Sequence, residues 1–189
     1  MIKCTIKGVE LALETASTLF SPNSIDRGTL AMLSCIDFME KDKVMDLGCG
    51  YGVVGILAAK LIGAEKVIMS DNDETAVRLA QLNAAMNGVG EVPVLLSDCF
   101  QNVDAKDFTL ILSNPPYHAD FSVPKAFTEK GFNRLALGGR LVMVTKREKW
   151  YRNKLTAVFG GADITTIDGY CVMTAEKRGF AYAAKKRPK

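Results

Sequence analysis

A chain of 189 residues, 48% hydrophobic and 24% charged, has the composition of a folded globular domain, which excludes a disordered or fibrous chain. Its apolar runs stop well short of a membrane span and residues 1–20 lack a basic-then-apolar leader, so a cytoplasmic protein without membrane attachment is expected. The net charge of +3 divides unevenly: residues 1–139 carry 12 Lys and Arg against 17 Asp and Glu (−5), and residues 140–189 carry 12 against 4 (+8).

In chain order, residues 4–7 and 9–13 form short strands about Gly8, followed by the polar loop Ser21-Pro22-Asn23-Ser24. Asp26 caps a helix over 27–39, with Leu30, Leu33, Cys35, Ile36 and Phe38 as its apolar residues. Strands and helices then alternate: strand 43–47, helix 51–62, strand 66–70, helix 74–86, strands 92–96 and 108–112, and a helix over 124–137 that ends at Gly138-Gly139. Strand 140–145 and helix 149–159 follow, and strands 163–167 and 170–175 are joined by Asp168-Gly169, a hairpin signal. This alternation predicts an α/β, Rossmann-like fold, with a mostly parallel sheet, helices on both faces and an antiparallel C-terminal hairpin. Without repeats or linkers the reading is one domain over 1–189: a lead-in at 1–42, a core at 43–178 and a basic tail at 179–189.

Five scattered cysteines with no C-x-x-C pair, and a single histidine, indicate reduced thiols and no metal site. The basic end holds Lys146, Arg147, Lys149, Arg152, Lys154, Lys177, Arg178 and Lys185–Lys189. It reads either as a surface that tracks a phosphate backbone or as a solvated helix face with a frayed tail.

Residues 44–55 run from a strand through Gly48, Cys49, Gly50 and Gly52 into a helix containing Gly55. Glycines there let backbone amides approach a ligand, and Gly55 lets the helix pack near the strand. Asp71, with Asn72 beside it, ends the next strand near the spacing of ~20 residues expected for a ribose-binding carboxylate. Gly50-x-Gly52-x-x-Gly55 also fits a dinucleotide, but Asp46, two positions before Gly48, suits a cationic amine better than a pyrophosphate it would repel. Asp98, after strand 92–96, reads in two ways: as acceptor for an adenine amino group, with Cys99 and Phe100 packing on the ring, or as a helix cap or loop residue.

The run 108–112 stops at Asn114-Pro115-Pro116-Tyr117, which leaves a polar side chain and a ring at the carboxyl edge of a buried strand. Together, Asp46-Leu47-Gly48-Cys49-Gly50, Asp71, Asp98 and Asn114-Pro115-Pro116-Tyr117 resemble the class I S-adenosylmethionine-dependent methyltransferases. More narrowly, the chain is similar to the "methyltransferase small" group, which includes ribosomal small-subunit guanine-N2 methyltransferases. The resemblance implies a seven-stranded sheet, S-adenosyl-L-methionine as cofactor and RNA as partner. Gly48, Gly50 and Gly52 would lie under the methionine part, Asp71 on the ribose, Asp98 at the adenine and Asn114 on the acceptor nitrogen. Ribosomal enzymes of this kind often carry a second, degenerate domain copy, for which 189 residues leave no room.

Amide and exocyclic-amine nitrogens are poor nucleophiles, so two acceptors, the Asn114 side-chain oxygen and the Pro115 carbonyl, would grip the amine hydrogens and turn the lone pair toward the donor. Tyr117 would stack on the base, and His118 is read as a rim contact without a proton-transfer role. Phe121, Phe127 and Phe132 form either a base-binding wall or core, and Trp150 and Tyr151 suit either single-stranded RNA or an amphipathic helix. The motif also admits tRNA or DNA adenine N6 or a protein glutamine, and the glycine loop admits a nicotinamide-dependent oxidoreductase or a silent RNA-binding module.

Overall fold

The computed structural model describes residues 1–116 and 121–183. Strands β1 (Ile2–Ile6) and β2 (Val9–Leu13) make an antiparallel hairpin of their own, and α1 (Arg27–Ser34) follows. The main sheet contains β3 (Val44–Leu47), β4 (Val67–Asp71), β5 (Val94–Leu96), β6 (Phe108–Ser113), β7 (Leu135–Thr145), β8 (Asp163–Ile167) and β9 (Tyr170–Glu176). Its order is β5-β4-β3-β6-β7-β9-β8. Neighbours from β5 to β7 are parallel, while β9 is antiparallel to both β7 and β8. The chain moves outward one way from β3 through β4 to β5 and the other way from β6 to β7, so the order reverses between β3 and β6. A crevice opens at the carboxyl ends of strands where an order reverses in this way.

Alternation along the strands sorts side chains into two cores. Val44, Leu110, Leu112, Val142, Val144 and Val172 face α1, α2 (Val53–Ile62) and α3 (Glu74–Met86). Met45, Leu47, Ile111, Leu141, Met143 and Met173 face α4 (Ser122–Arg134) and α5 (Glu148–Phe159). Among the described residues no helix is long and apolar enough to cross a membrane.

Several boundaries differ from the sequence reading for local reasons. The first helix ends at Ser34, not residue 39: the Ser34 hydroxyl donates to Ala31 O at 2.8 Å, Cys35 caps the helix, and Ile36 turns into the core. The helix expected over 124–137 spans Ser122–Arg134, and Gly138-Gly139 lie inside β7 instead of ending a helix. Gly138 N–H donates to Lys177 O at 2.8 Å and Lys177 N–H to Gly139 O at 2.9 Å, which draws the pair into the β7–β9 ladder. The register between β6 and β7 slips here, and a Cβ on Gly139 would sit 2.7 Å from the Phe108 carbonyl oxygen.

Two asparagines on α3 hold the lead-in hairpin against the core. The Asn87 amide accepts from Ala12 N–H at 3.1 Å and donates to Ala12 O at 2.8 Å. One helical turn earlier, Asn83 accepts from Glu14 N–H at 2.7 Å and donates to Glu14 O at 2.9 Å and Tyr51 O at 2.8 Å. Spaced i and i+4 on one helix face, the two amides meet alternate residues of the β2 edge as a neighbouring strand would. Asn83 is fully buried. Asn83→Ala should therefore lower the unfolding free energy by about 2–4 kcal/mol in urea titration, because several buried backbone groups lose their partner at once. A loss under about 0.5 kcal/mol would show that water replaces the latch.

Candidate active site

The first helix after β3 packs closely on the sheet at Gly55: a Cβ there would lie 2.4 Å from the Met69 Cγ and Sδ on β4. That approach brings Gly55 N–H to the Asp46 carboxylate at 2.8 Å. The intervening loop follows a left-handed path through Gly48, Gly50 and Gly52, and Gly48 N–H and Cys49 N–H both donate to Ser70 O at 2.9 Å. Asp71, at the end of β4, accepts from Gly50 N–H at 2.8 Å and from Asp73 N–H at 3.0 Å, so its two oxygens brace the loop.

Above this loop lies a cleft of about 360 Å³. Of the residues singled out from the sequence, Asp46, Gly48, Cys49, Gly50, Asp71, Asn72, Asp98, Cys99, Asn114 and Pro115 line it together. Gly52 does not line it but caps α2. Asp98 is exposed on the wall and opens a turn closed by Gln101 N–H to its carbonyl at 3.1 Å, with no helix there for it to cap. Tyr117 and His118 lie outside the described residues.

The wall also contains residues that the sequence reading did not place there: Thr18, Leu19, Phe20 and Ser21 of the lead-in, Asp26 and Thr29 at the start of α1, and Val123 and Ala126 of α4. Asp26 had been read only as a cap, and an acid standing before a helix gives no sign of facing a strand end far along the chain. Phe100 does not pack in the cleft but in the core, with the Arg134 guanidinium 5.7 Å from its ring centroid. Phe127 lines the cleft close to Gly48, while Phe132 is core.

Electrostatics distinguish the acids and thiols. Burial pushes the Asp46 carboxyl up to about 7; the Gly55 N–H draws it partly back, and the nearby Asp71 charge adds to the rise. A 3% exposed acid with one backbone partner is a fitting receptor for a cationic amine, whose charge would hold it ionised. Beside it, Ser70 Oγ is buried without a hydrogen-bond partner among the described residues. Burial, reinforced by Asp46 and Asp71, raises the Cys49 thiol well above its ordinary value, and burial pushes Cys99 up to about 11, so both are neutral wall rather than nucleophiles. A buried acid, an open glycine loop and a second acid at the next strand end suit a ligand with a cationic amino-acid end and a ribose.

A second group of side chains stands at the end of β6. Ser113 Oγ donates to Leu47 O at 2.7 Å, which ties the ends of β6 and β3 together. The next residue, Asn114, points its amide nitrogen at Asp26 Oδ2 (2.7 Å) and Thr29 Oγ1 (2.9 Å). One strand further, Lys146 and Arg147 follow β7 on the same edge. Lys146 Nζ lies 4.5 Å from the Tyr170 ring centroid and the Arg147 guanidinium 5.1 Å from that of Phe121. Phe121 in turn stacks on Trp150, centroids 4.4 Å apart and planes 14° apart. Other basic residues serve the fold: Lys177 is buried and donates to Leu135 O at 2.7 Å, Lys154 pairs with Glu129, and Arg152 with Glu148. The expected tail cations Lys185–Lys189 lie outside the described residues.

The family model described as methyltransferase small domain matches residues 10–174. Ribosomal RNA small subunit methyltransferase C of Serratia proteamaculans is 30% identical over 164 residues, covering 85% of this chain and 47% of that protein. Protein YbxB of Bacillus subtilis is 30% identical over 178 residues, 91% of this chain and 89% of that protein. Among solved structures, the T. thermophilus 16S rRNA N2 methyltransferase RsmC in complex with AdoMet and guanosine superposes with a TM-score of 0.84 at 25% identity, over 94% of this chain and 50% of that one. The chain thus spans about half the length of these ribosomal RNA methyltransferases and most of YbxB.

The Asp46 carboxyl gives a measurable signature. Its native value of about 7 lies above the ~3.9 of an unfolded aspartate, so its contribution to stability is full below about pH 4 and is lost as pH rises through about 7. Asp46→Asn keeps an acceptor for Gly55 N–H but carries no charge. Its stability relative to wild type should rise between pH 5 and pH 8 in denaturant titrations of the ligand-free protein; a pH-independent difference would show that the carboxyl is not held up.

Proposed function

The chain belongs to the methyltransferase small domain family, and from that premise we propose that it transfers a methyl group from S-adenosylmethionine to an exocyclic amine of a base in RNA, with guanine N2 of ribosomal RNA as the acceptor. The observation that carries this reading is the placement of Asn114, its nitrogen anchored, on the same cleft wall system as the buried Asp46. In the proposal, residues 1–189 act as one catalytic domain.

S-adenosylmethionine supplies a methyl sulfonium, electrophilic enough that alignment of the nucleophile is the main task left to the protein. Asp46 would receive the cationic amine end, and Gly48, Cys49, Gly50 and Gly52 form the bend beneath it. Asp71, with Asn72 beside it, would accept from the ribose hydroxyls, and Asp98 from the adenine amine, with Cys99 as apolar wall. On the acceptor side the Asn114 Oδ1 and the Pro115 carbonyl would take the two amine hydrogens, which favours a pyramidal nitrogen with its lone pair toward the donor. Proline at 115 and 116 stiffens the backbone that presents the carbonyl. Tyr117 is assigned the face of the base.

RNA as the substrate is supported by the cationic and aromatic ledge of Lys146, Arg147, Phe121 and Trp150 on the acceptor side, which combines charge for phosphates with rings for unstacked bases. The named activities of the ribosomal relatives support the same reading.

Mass spectrometry of nucleosides from RNA of a strain lacking the protein should show one methylated base missing, N2-methylguanine in the ribosomal fraction. In a tritiated-methyl assay Asn114→Ala should lose roughly 10²–10³-fold in kcat while retaining S-adenosylhomocysteine binding. Unchanged incorporation would remove Asn114 from the mechanism. Lys146→Glu with Arg147→Glu should weaken RNA binding and reduce the slope of log affinity against log salt by about 2; an unchanged slope would move the RNA off this ledge.

A further inference from the structure

We propose that Asp26 is a positioning residue for methyl transfer: its carboxylate decides which end of the Asn114 amide faces the acceptor. The proposal rests on the reading that Asn114 receives the acceptor amine.

An asparagine side chain has a donor end and an acceptor end of nearly the same shape, and only the oxygen can hold an amine hydrogen. In an open cleft the two orientations would compete, and the wrong one would present two N–H groups to an amine that must itself donate. Asp26 breaks that symmetry. Its Oδ2 lies 2.7 Å from Asn114 Nδ2, and a carboxylate only accepts. Turning the amide over would set Oδ1 against a negative oxygen at the same distance. Thr29 Oγ1, 2.9 Å from the same nitrogen, completes the pair of acceptors for its two hydrogens.

The carboxylate is itself fixed. Asp26 Oδ2 also accepts from Thr29 N–H at 2.8 Å as the N-cap of α1, so one oxygen caps the helix and orients the motif. Asp26 and Asn114 are 88 positions apart, on different elements, and both line the cleft. A cap alone would be satisfied by serine, threonine or asparagine. Orienting Asn114 is more demanding. A hydroxyl can accept from Nδ2 or donate to Oδ1, and therefore selects neither orientation, whereas an asparagine can keep its oxygen at the same point.

The test compares Asp26→Ser, Asp26→Asn, Asn114→Ala and the Asp26→Ser/Asn114→Ala double variant. Because serine still caps α1, thermal stability and S-adenosylhomocysteine binding of Asp26→Ser should stay close to wild type. Its kcat for RNA methylation should fall roughly 10–100-fold, as misplacement of an aligning group does. Asp26→Asn should recover most of the rate, and Asp26→Ser should cost nothing further once Asn114 is alanine. The side-chain amide ¹H–¹⁵N signals of Asn114 should shift and lose protection in Asp26→Ser. Equal losses with and without Asn114, or Asn114 amide signals identical in wild type and Asp26→Ser, would overturn the proposal. A wild-type protein inactive on RNA would instead sink the functional reading, and the amide signals would still decide whether Asp26 orients Asn114.

Discussion

The close approach of α2 to the sheet at Gly55 is the constraint on which the cleft depends. A Cβ at that position would fall 2.4 Å from the Met69 side chain, so either Met69 or the helix, and with it the N–H that meets Asp46, would have to shift. With the helix start this close, Asp46 is buried and has a single backbone donor among the described residues. Desolvation then does what sequence position cannot: it pushes an ordinary carboxyl up to about 7 by disfavouring its charged form. The glycine therefore acts through electrostatics as much as through backbone freedom.

The rest of the cleft is assembled from parts that fold for other reasons. The β3–β6 crossover point supplies the floor, where the Ser113 hydroxyl joins the two strand ends. Asp71 braces the loop through Gly50 with one oxygen and accepts from Asp73 N–H with the other. The lead-in, held through β2 by Asn83 and Asn87, supplies one wall: Tyr51, whose carbonyl Asn83 also binds, places its hydroxyl 3.3 Å from Ser21 O. Burial and the nearby Asp26 carboxylate raise the Tyr51 phenol to about 12, so it stays a neutral donor there. Lead-in, glycine loop and α3 are thus coupled through a few buried polar groups, each with defined partners.

Beyond the glycine loop, the carboxyl edge carries opposite character on adjacent strands. Asn114 and the prolines follow β6 as rigid, uncharged hydrogen-bonding groups, and Lys146 and Arg147 follow β7 as cations resting on aromatic rings. Since β6 and β7 are parallel neighbours, with Ser113 opposite Met143, the two surfaces are adjacent without either being built into the other. A polyanion held on the second surface would carry its bases toward the first.

Much of this was legible in the chain. Strand–helix alternation, the Asp168-Gly169 hairpin, the glycine loop and Asn114-Pro115-Pro116 all announce themselves because their signals are local: period, turn chemistry and fixed φ act over a few residues. Gly138-Gly139 misled for the same reason, since a glycine pair after a helical pattern reads as a stop, while here pairing with Lys177, distant in sequence, made it part of a strand. The aromatics also divided by tertiary context, Phe132 and Phe100 to the core, Phe127 to the cleft wall near Gly48 and Phe121 onto Trp150. By itself the sequence determined the fold class and which residues could do chemistry. Only the folded chain decided that Asp46 would be dry, that Asp26 would meet Asn114, and that Lys177 would be buried rather than basic surface, because desolvation and hydrogen-bond partnership are set by neighbours in space that no local pattern encodes.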